Sequence, residues 1–202
     1  MKSFKLNFLL ISALTIALMA NARAQEYFKL QSDNSKLVIE GTSSIHDWEM
    51  EADDFRAETL LKIDENSISE ISKIEFKTPV SGLKSGKGIM DNKAHDALKK
   101  KKYPEIKFGL NNSSKVNISG SNATLTGLLT IAGKSKEVNL TADLEVENQE
   151  KFLVSGSVPV KMSDFGIEPP TAMMGAMKTG DEVVVKFNLE FQKSDHEISG
   201  NF

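Results

Sequence analysis

The sequence predicts an all-β protein: an antiparallel barrel of about eight strands, with one short helix inserted near residues 89–101. Three observations carry this. Apolar and polar residues alternate with a period of two along most of the chain, which gives each strand one dry face and one wet face. Short polar links (Asn111-Asn112, Gly120-Ser121, Gly133-Lys134, Asn148-Gln149) separate consecutive runs, as antiparallel neighbours require. Residues 83–108 alone break the alternation with helical spacing. Strands with one apolar face pair or roll up to bury it, and closure into a barrel also removes the edges. A barrel of about eight strands is either filled by side chains or holds one small ligand.

The first residues read as a processing signal. Lys2 and Lys5 precede an apolar run over 8–20, and Ala22-Arg23-Ala24 is a small-x-small cleavage site. The expected organisation is a signal peptide over 1–24 and one barrel domain over 25–202. The absence of cysteine excludes disulfides, thiol catalysis and thiolate metal sites, and with them a cysteine-linked lipid anchor.

The strands follow in order. Leu37, Ile39 and Gly41 share one face, then Trp48, Met50 and Ala52. Runs at 55–63 and 68–78 are apolar but irregular, so their phase is open. After the helix the pattern sharpens. Ala123, Leu125, Gly127, Leu129 and Ile131 share a face; so do Val138, Leu140, Ala142, Leu144 and Val146; so do Phe152, Val154, Gly156, Val158 and Val160. Val183, Val185, Phe187, Leu189 and Phe191 close the series. Gly127 and Gly156 fall in the inward phase, where glycine either leaves space or marks a barrel bend. The long link at 163–180 carries two prolines and a methionine group, the composition of an adaptable apolar loop at a barrel mouth or of a loop tucked onto the core.

In the helical stretch, Asp91 reads as an N-cap. Met90, Ala94, Ala97 and Leu98 form a narrow apolar stripe, and Tyr103-Pro104 is the stop. Residues 84–107 hold eight lysines against three acids, in a chain whose net charge is −3. One basic island in an acidic protein argues against nucleic acid as a partner, which calls for a broad basic surface. It reads as a solvated face or as a rim meeting phosphate or an anionic membrane.

The polar residues suggest little chemistry. Three histidines, His46, His95 and His196, lack metal-ligand spacing, so no metal is expected. Ser44, His46 and Asp47 invite a hydrolase reading, but on a strand Asp47 would face away from the other two. No nucleophile elbow is present. Hydrogen bonding that fixes a turn beside Trp48 is the expected role of His46 and Asp47.

Four segments carry a family resemblance: GTSSIHDW at 41–48, the helix followed by YPEIKF at 103–108, LTGLLTIAGKSKEVNL at 125–140, and VSGSVPVKMSDFGIEPP at 154–170 running into GDEVVVKFNLEF at 180–191. Together they resemble the YceI-like family of bacterial polyisoprenoid-binding proteins. The resemblance implies a lipocalin-like barrel exported to the periplasm. It implies an isoprenoid chain, of quinone or polyprenyl type, as the bound lipid in place of any other cofactor. The expected cavity wall comprises Trp48, Phe76, Phe108, Leu125, Leu129, Leu140, Leu144, Phe152, Val158, Phe165, Met173, Met174, Met177, Phe187 and Leu189. Lys99, Lys100, Lys101 and Lys102, with Lys84 and Lys87, are expected near the barrel mouth as the contacts to a head group or anionic membrane surface. No catalytic residue is expected. The alternatives are an enzyme using the same cavity, with His46 or His95 as base, and a ligand-free envelope stress or structural protein.

Overall fold

A computed structural model of the chain describes residues 24–172 and 175–195. Residues 1–23 of the expected signal segment, Met173 and Met174, and the tail from His196 lie outside the described residues. The strands are β1 (Glu26–Leu30), β2 (Lys36–Ser43), β3 (Trp48–Ala52), β4 (Arg56–Asp64), β5 (Ser67–Pro79), β6 (Leu83–Lys84), β7 (Glu105–Gly109), β8 (Val116–Ser119), β9 (Asn122–Ile131), β10 (Lys134–Asn148), β11 (Lys151–Lys161), β12 (Thr171–Ala172) and β13 (Met177–Ser194). Among the described residues the α-helix is α1 (Gly88–Ala97), which follows β6.

Many of these strands are broken halves of longer ones. β1 and β2 lie end to end along one edge of β13, and β3 with β4, β5 with β6, and β7 with β8 continue each other in the same way. With β9, β10, β11 and β13 they make eight antiparallel positions running up and down. The ring closes where β1 and β2 pair with β13, from Tyr27↔Ser194 to Thr179↔Ser43. Closure leaves no long open edge, which suits strands of 10 to 18 residues such as β9, β10 and β13.

The breaks in the strands are held by specific hydrogen bonds. Between β1 and β2 the chain makes a 3-10 turn, Ser32–Asn34. Glu190 of β13 anchors it: its carbonyl accepts from Gln31 N–H at 2.8 Å, its N–H donates to Ser35 Oγ at 2.9 Å, and its carboxylate accepts from Asn34 Nδ2 at 2.8 Å. Between β3 and β4, Asp53 N–H donates to Gly82 O and Thr78 Oγ1 donates to Asp54 O, while Phe55 is buried beneath.

Inward residues form the core. The irregular phase of 55–78 has a physical cause. The β4–β5 register shifts twice, between Leu60 and Leu61 and between Lys62 and Ile63. Each bulge adds a residue to β5, so the residues reaching the interior are Phe76, Ile74, Ile71 and Ile68, with spacings of two, three and three. Outward positions such as Thr124, Thr126, Glu137 and Asn139 are polar, the reverse of a membrane-spanning barrel with its apolar outer band.

The helix differs from its expected limits. It starts at Gly88, with Lys87 as a cap residue that makes no side-chain bond. Asp91 therefore lies inside the first turn. Its carboxylate accepts from Ser85 N–H at 2.8 Å and Ser85 Oγ at 2.6 Å, so it closes the preceding loop rather than capping the helix. The stop comes before Tyr103-Pro104. Lys99 turns left-handed at φ 57°, Lys99 N–H donates to Asp96 O, and Lys100 N–H donates to His95 O. This pair of bonds is a Schellman closure with lysine where glycine is usual. The lysine run 99–102 thus lies in a turn beyond the helix.

Candidate functional site

The barrel interior is not filled. It holds a cavity of about 750 Å³, within the range of small-molecule sites, roughly 300–1,000 Å³. All eight strand positions contribute to the wall, and almost every contribution is aliphatic or aromatic. Of the residues expected from the sequence, Trp48, Phe76, Phe108, Leu125, Leu129, Leu140, Leu144, Phe152, Val158, Phe165, Met177, Phe187 and Leu189 line it. Met173 and Met174 fall outside the described residues.

Glycines shape the wall. A Cβ at Gly41 would overlap the Trp48 indole, one at Gly127 the Phe108 ring, and one at Gly156 the Phe187 ring. Gly41↔Trp48 and Gly156↔Phe187 are direct register partners across neighbouring strands. The rings therefore lie against the sheet in the space a side chain would have taken.

One end is closed by aromatics. Phe152 stacks on Phe191 with ring centroids 5.0 Å apart and meets Phe28 edge-on at 5.1 Å. All three rings are buried. Phe152 and Phe191 form the cavity floor, with Phe28 behind them.

The other end is the mouth, where three pieces of chain meet. α1 presents Met90, Ala94, Ala97 and Leu98 to the cavity, the same four residues as the sequence stripe. His95, buried on α1, fixes the helix to β6. Its Nε2 lies 2.9 Å from Leu83 O and its Nδ1 3.4 Å from Lys100 Nζ. A carbonyl only accepts and an ammonium only donates, so Nε2 carries the hydrogen and Nδ1 is bare. Both ring nitrogens are thereby engaged.

The second piece is the β2–β3 turn. Ser43 Oγ donates to His46 O at 2.6 Å and accepts from Ile45 and His46 N–H. His46 Nδ1 donates to Asp47 O at 2.8 Å, and Trp48 Nε1 donates to Thr42 O at 3.0 Å. Ser44 Oγ accepts from Lys178 N–H. These bonds run to main-chain groups and assemble no Ser–His–Asp relay. They fix the turn beside Trp48.

The third piece is the link after β11. Its 3-10 turn, Met162–Phe165, is held by Asp181, whose carboxylate accepts from Ser163 N–H at 2.8 Å and Ser163 Oγ at 2.5 Å. Phe165 and Ile167 tuck into a second apolar cluster with Val158, Val160 and Val183. β12 then pairs with the start of β13, and Lys93 Nζ of α1 donates to Thr171 O at 2.8 Å across the mouth.

Polar groups lining the cavity include Ser43, His46, Lys87, Lys93, Thr171 and Thr179 at this end. The lysine run is near but not on the wall. Lys99 Nζ donates to Gly166 O at 3.3 Å, Lys100 reaches His95, and Lys102 sits 5.2 Å from the Tyr103 ring centroid. Lys87 and Lys93 are the mouth lysines. The sequence placed Lys87 near the mouth, together with Lys84 and the run 99–102, and counted Lys93 only within the basic island. Among the described residues, no group of three or more histidine or acidic side chains converges to hold a metal.

Known proteins share this architecture. BcnA of Burkholderia cenocepacia superposes with a TM-score of 0.64 at 22% identity, covering 80% of this chain and 98% of its own. A polyisoprenoid binding domain from Saccharophagus degradans, implicated in plant cell wall breakdown, gives 0.63 at 11% identity, covering 83% and 98%. The YceI protein of Campylobacter jejuni gives 0.55 at 24% identity, covering 71% and 82%. No curated protein matches the sequence. At these identities the structures share the fold. The YceI-like domain signature, however, matches residues 28–191 of the sequence itself. The chain belongs to the YceI-like family.

Proposed function

We propose that the barrel binds one long apolar chain, an isoprenoid of quinone or polyprenyl type, with its tail toward the Phe152–Phe191 floor and its head at the mouth. The observation that carries this reading is the cavity: about 750 Å³, walled by apolar side chains and floored by aromatics. Burying one methylene contributes about 0.8 kcal/mol, so ten contribute roughly 8 kcal/mol before ordering and association costs. Such a ligand needs an apolar tunnel and few polar contacts, which matches the wall. The solved domain described as polyisoprenoid binding, with the same fold, favours an isoprenoid over other lipids. Binding rather than catalysis fits the site, since Ser44 and His46 spend their hydrogen bonds on main-chain groups. The basic and apolar pattern of residues 1–24 supports export to the periplasm.

Organic extraction of the purified protein followed by mass spectrometry tests the reading. A polyprenyl or quinone species at near-equal molar ratio is the expected result. Repeated absence of lipid, from protein expressed where isoprenoids are made, would overturn it in favour of a ligand-free role.

A further inference from the structure

Among the described residues, two large apolar side chains stand exposed: Ile45 at 59% and Ile89 at 79%. They come from different elements, the β2–β3 turn and the first turn of α1. Both flank the mouth: Ile89 lines the cavity entrance itself, and Ser43 and His46, on either side of Ile45, line it too. Lys87 and Lys93 line the same entrance and are solvent-exposed. Asp91, the acid between them in sequence, is taken up by Ser85; the exposed acids on the elements around the mouth include Asp47 next to His46, Asp96 on α1 and Glu168 before Pro170.

We propose that this rim docks on an anionic lipid bilayer, with Ile45 and Ile89 entering the interface and Lys87 and Lys93 meeting anionic head groups. Single exposed apolar residues are ordinary on a protein surface. Two that flank a lipid-sized opening on separate elements, with cations beside them, are a patch. The patch is too small for a stable protein partner, which needs about 800 Å² from each side. A bilayer requires less: a few inserted apolar groups plus charge give reversible association, and neither signal suffices alone. Docking at the mouth would also let an apolar chain pass from bilayer to cavity without crossing water. The inference extends the lipid-binding reading, but its test reads membrane association and not ligand content.

The test is flotation of the whole protein with two vesicle types, pure phosphatidylcholine and an equal mixture of phosphatidylcholine and phosphatidylglycerol, at low and high salt. The wild type is expected to float with the mixed vesicles at low salt, weakly with pure phosphatidylcholine, and less at high salt. Lys87→Glu with Lys93→Glu should lower partitioning to mixed vesicles about thirty-fold or more. Ile45→Asn with Ile89→Asn should lower it roughly tenfold or more. Thermal melting checks the fold of each variant, and single substitutions replace any double variant that does not fold. Failure of the wild type to float overturns the proposal, whatever lipid the cavity holds. So does flotation indifferent to either pair of substitutions. A concentration-dependent dimer, lost in the isoleucine variants and unaffected by vesicles, would make the patch a self-association face and overturn it as well.

Discussion

At the scale of single residues, the cavity is kept open by what three glycines lack. Gly41, Gly127 and Gly156 face inward, and each seats a ring where its own side chain would stand. Gly127 and Gly156 therefore do not face open space. An aromatic lying flat on a glycine covers exposed backbone and keeps its bulk out of the lumen, so the wall is aromatic without being thick. Gly41 gives the sharpest test, because its partner Trp48 is the single tryptophan of the chain. Gly41→Ala must push the indole toward the lumen or off the strand. Overpacking of this kind costs about 1–3 kcal/mol. The expected outcome is a shifted Trp48 emission, a lower denaturation midpoint and less lipid per protein on extraction. Unchanged emission and stability would show that the ring does not depend on its glycine seat.

At the scale of elements, the sequence made some pieces plain and hid others for physical reasons. β9, β10, β11 and β13 follow strict alternation because each hydrogen-bonds to its neighbours along most of its length, so inward residues could be read two by two. β5 could not be read that way, since its two bulges change the spacing of Ile74, Ile71 and Ile68. The apolar stripe of α1 was legible, and so was a helix between two sheet segments. Its ends were not: Asp91 serves a loop, and Lys99 takes a backbone conformation that composition does not announce. Which lysines border the cavity depends on how the loops fold over the mouth, and no local pattern encodes that. Two of those loops are fastened by carboxylates. Hydrogen bonds from the Ser85 side chain, then its backbone N–H, hold the Asp91 carboxyl below its ordinary value, and Ser163 does the same for Asp181. A carboxyl with a lowered folded pKa adds stability that is complete above its unfolded value, near 3.8, and is lost as pH falls through the lowered value. The mouth should therefore loosen below about pH 4 and gain nothing from further alkalinity. Hydrogen exchange should show residues 85–97 and 163–181 losing protection first on acidification. Asp91→Asn and Asp181→Asn should each flatten the acid limb of the melting profile, and an unchanged limb in both would place the acid sensitivity elsewhere.

At the scale of the whole molecule, the barrel has two unlike ends, and the difference sets what it can hold. The mouth end is built from a helix, a turn and a long link, joined by side-chain hydrogen bonds such as Lys93 to Thr171 O. The opposite end is a stack of rings, with Phe152 on Phe191 and Phe28 across them. Hydrogen-bonded loops can part and re-form, whereas three packed rings lose their burial if they separate, so chain entry belongs to the mouth and chain length to the floor. Phe152→Ala removes a six-carbon ring from that floor, room for about one more five-carbon isoprene unit, at a cost of roughly 3–5 kcal/mol in stability. Domains of this kind are stable by about 5–15 kcal/mol, so the variant should fold with a lowered melting temperature, and Phe152→Leu offers a milder change. Mass spectrometry of extracted lipid should then show a shift toward longer chains in Phe152→Ala, a smaller shift in Phe152→Leu, and an unchanged molar ratio. Mutation at the mouth should not alter chain length. If a folded Phe152→Ala variant keeps the wild-type length distribution, the floor is not the ruler, and the length of the bound chain is set by what the membrane supplies.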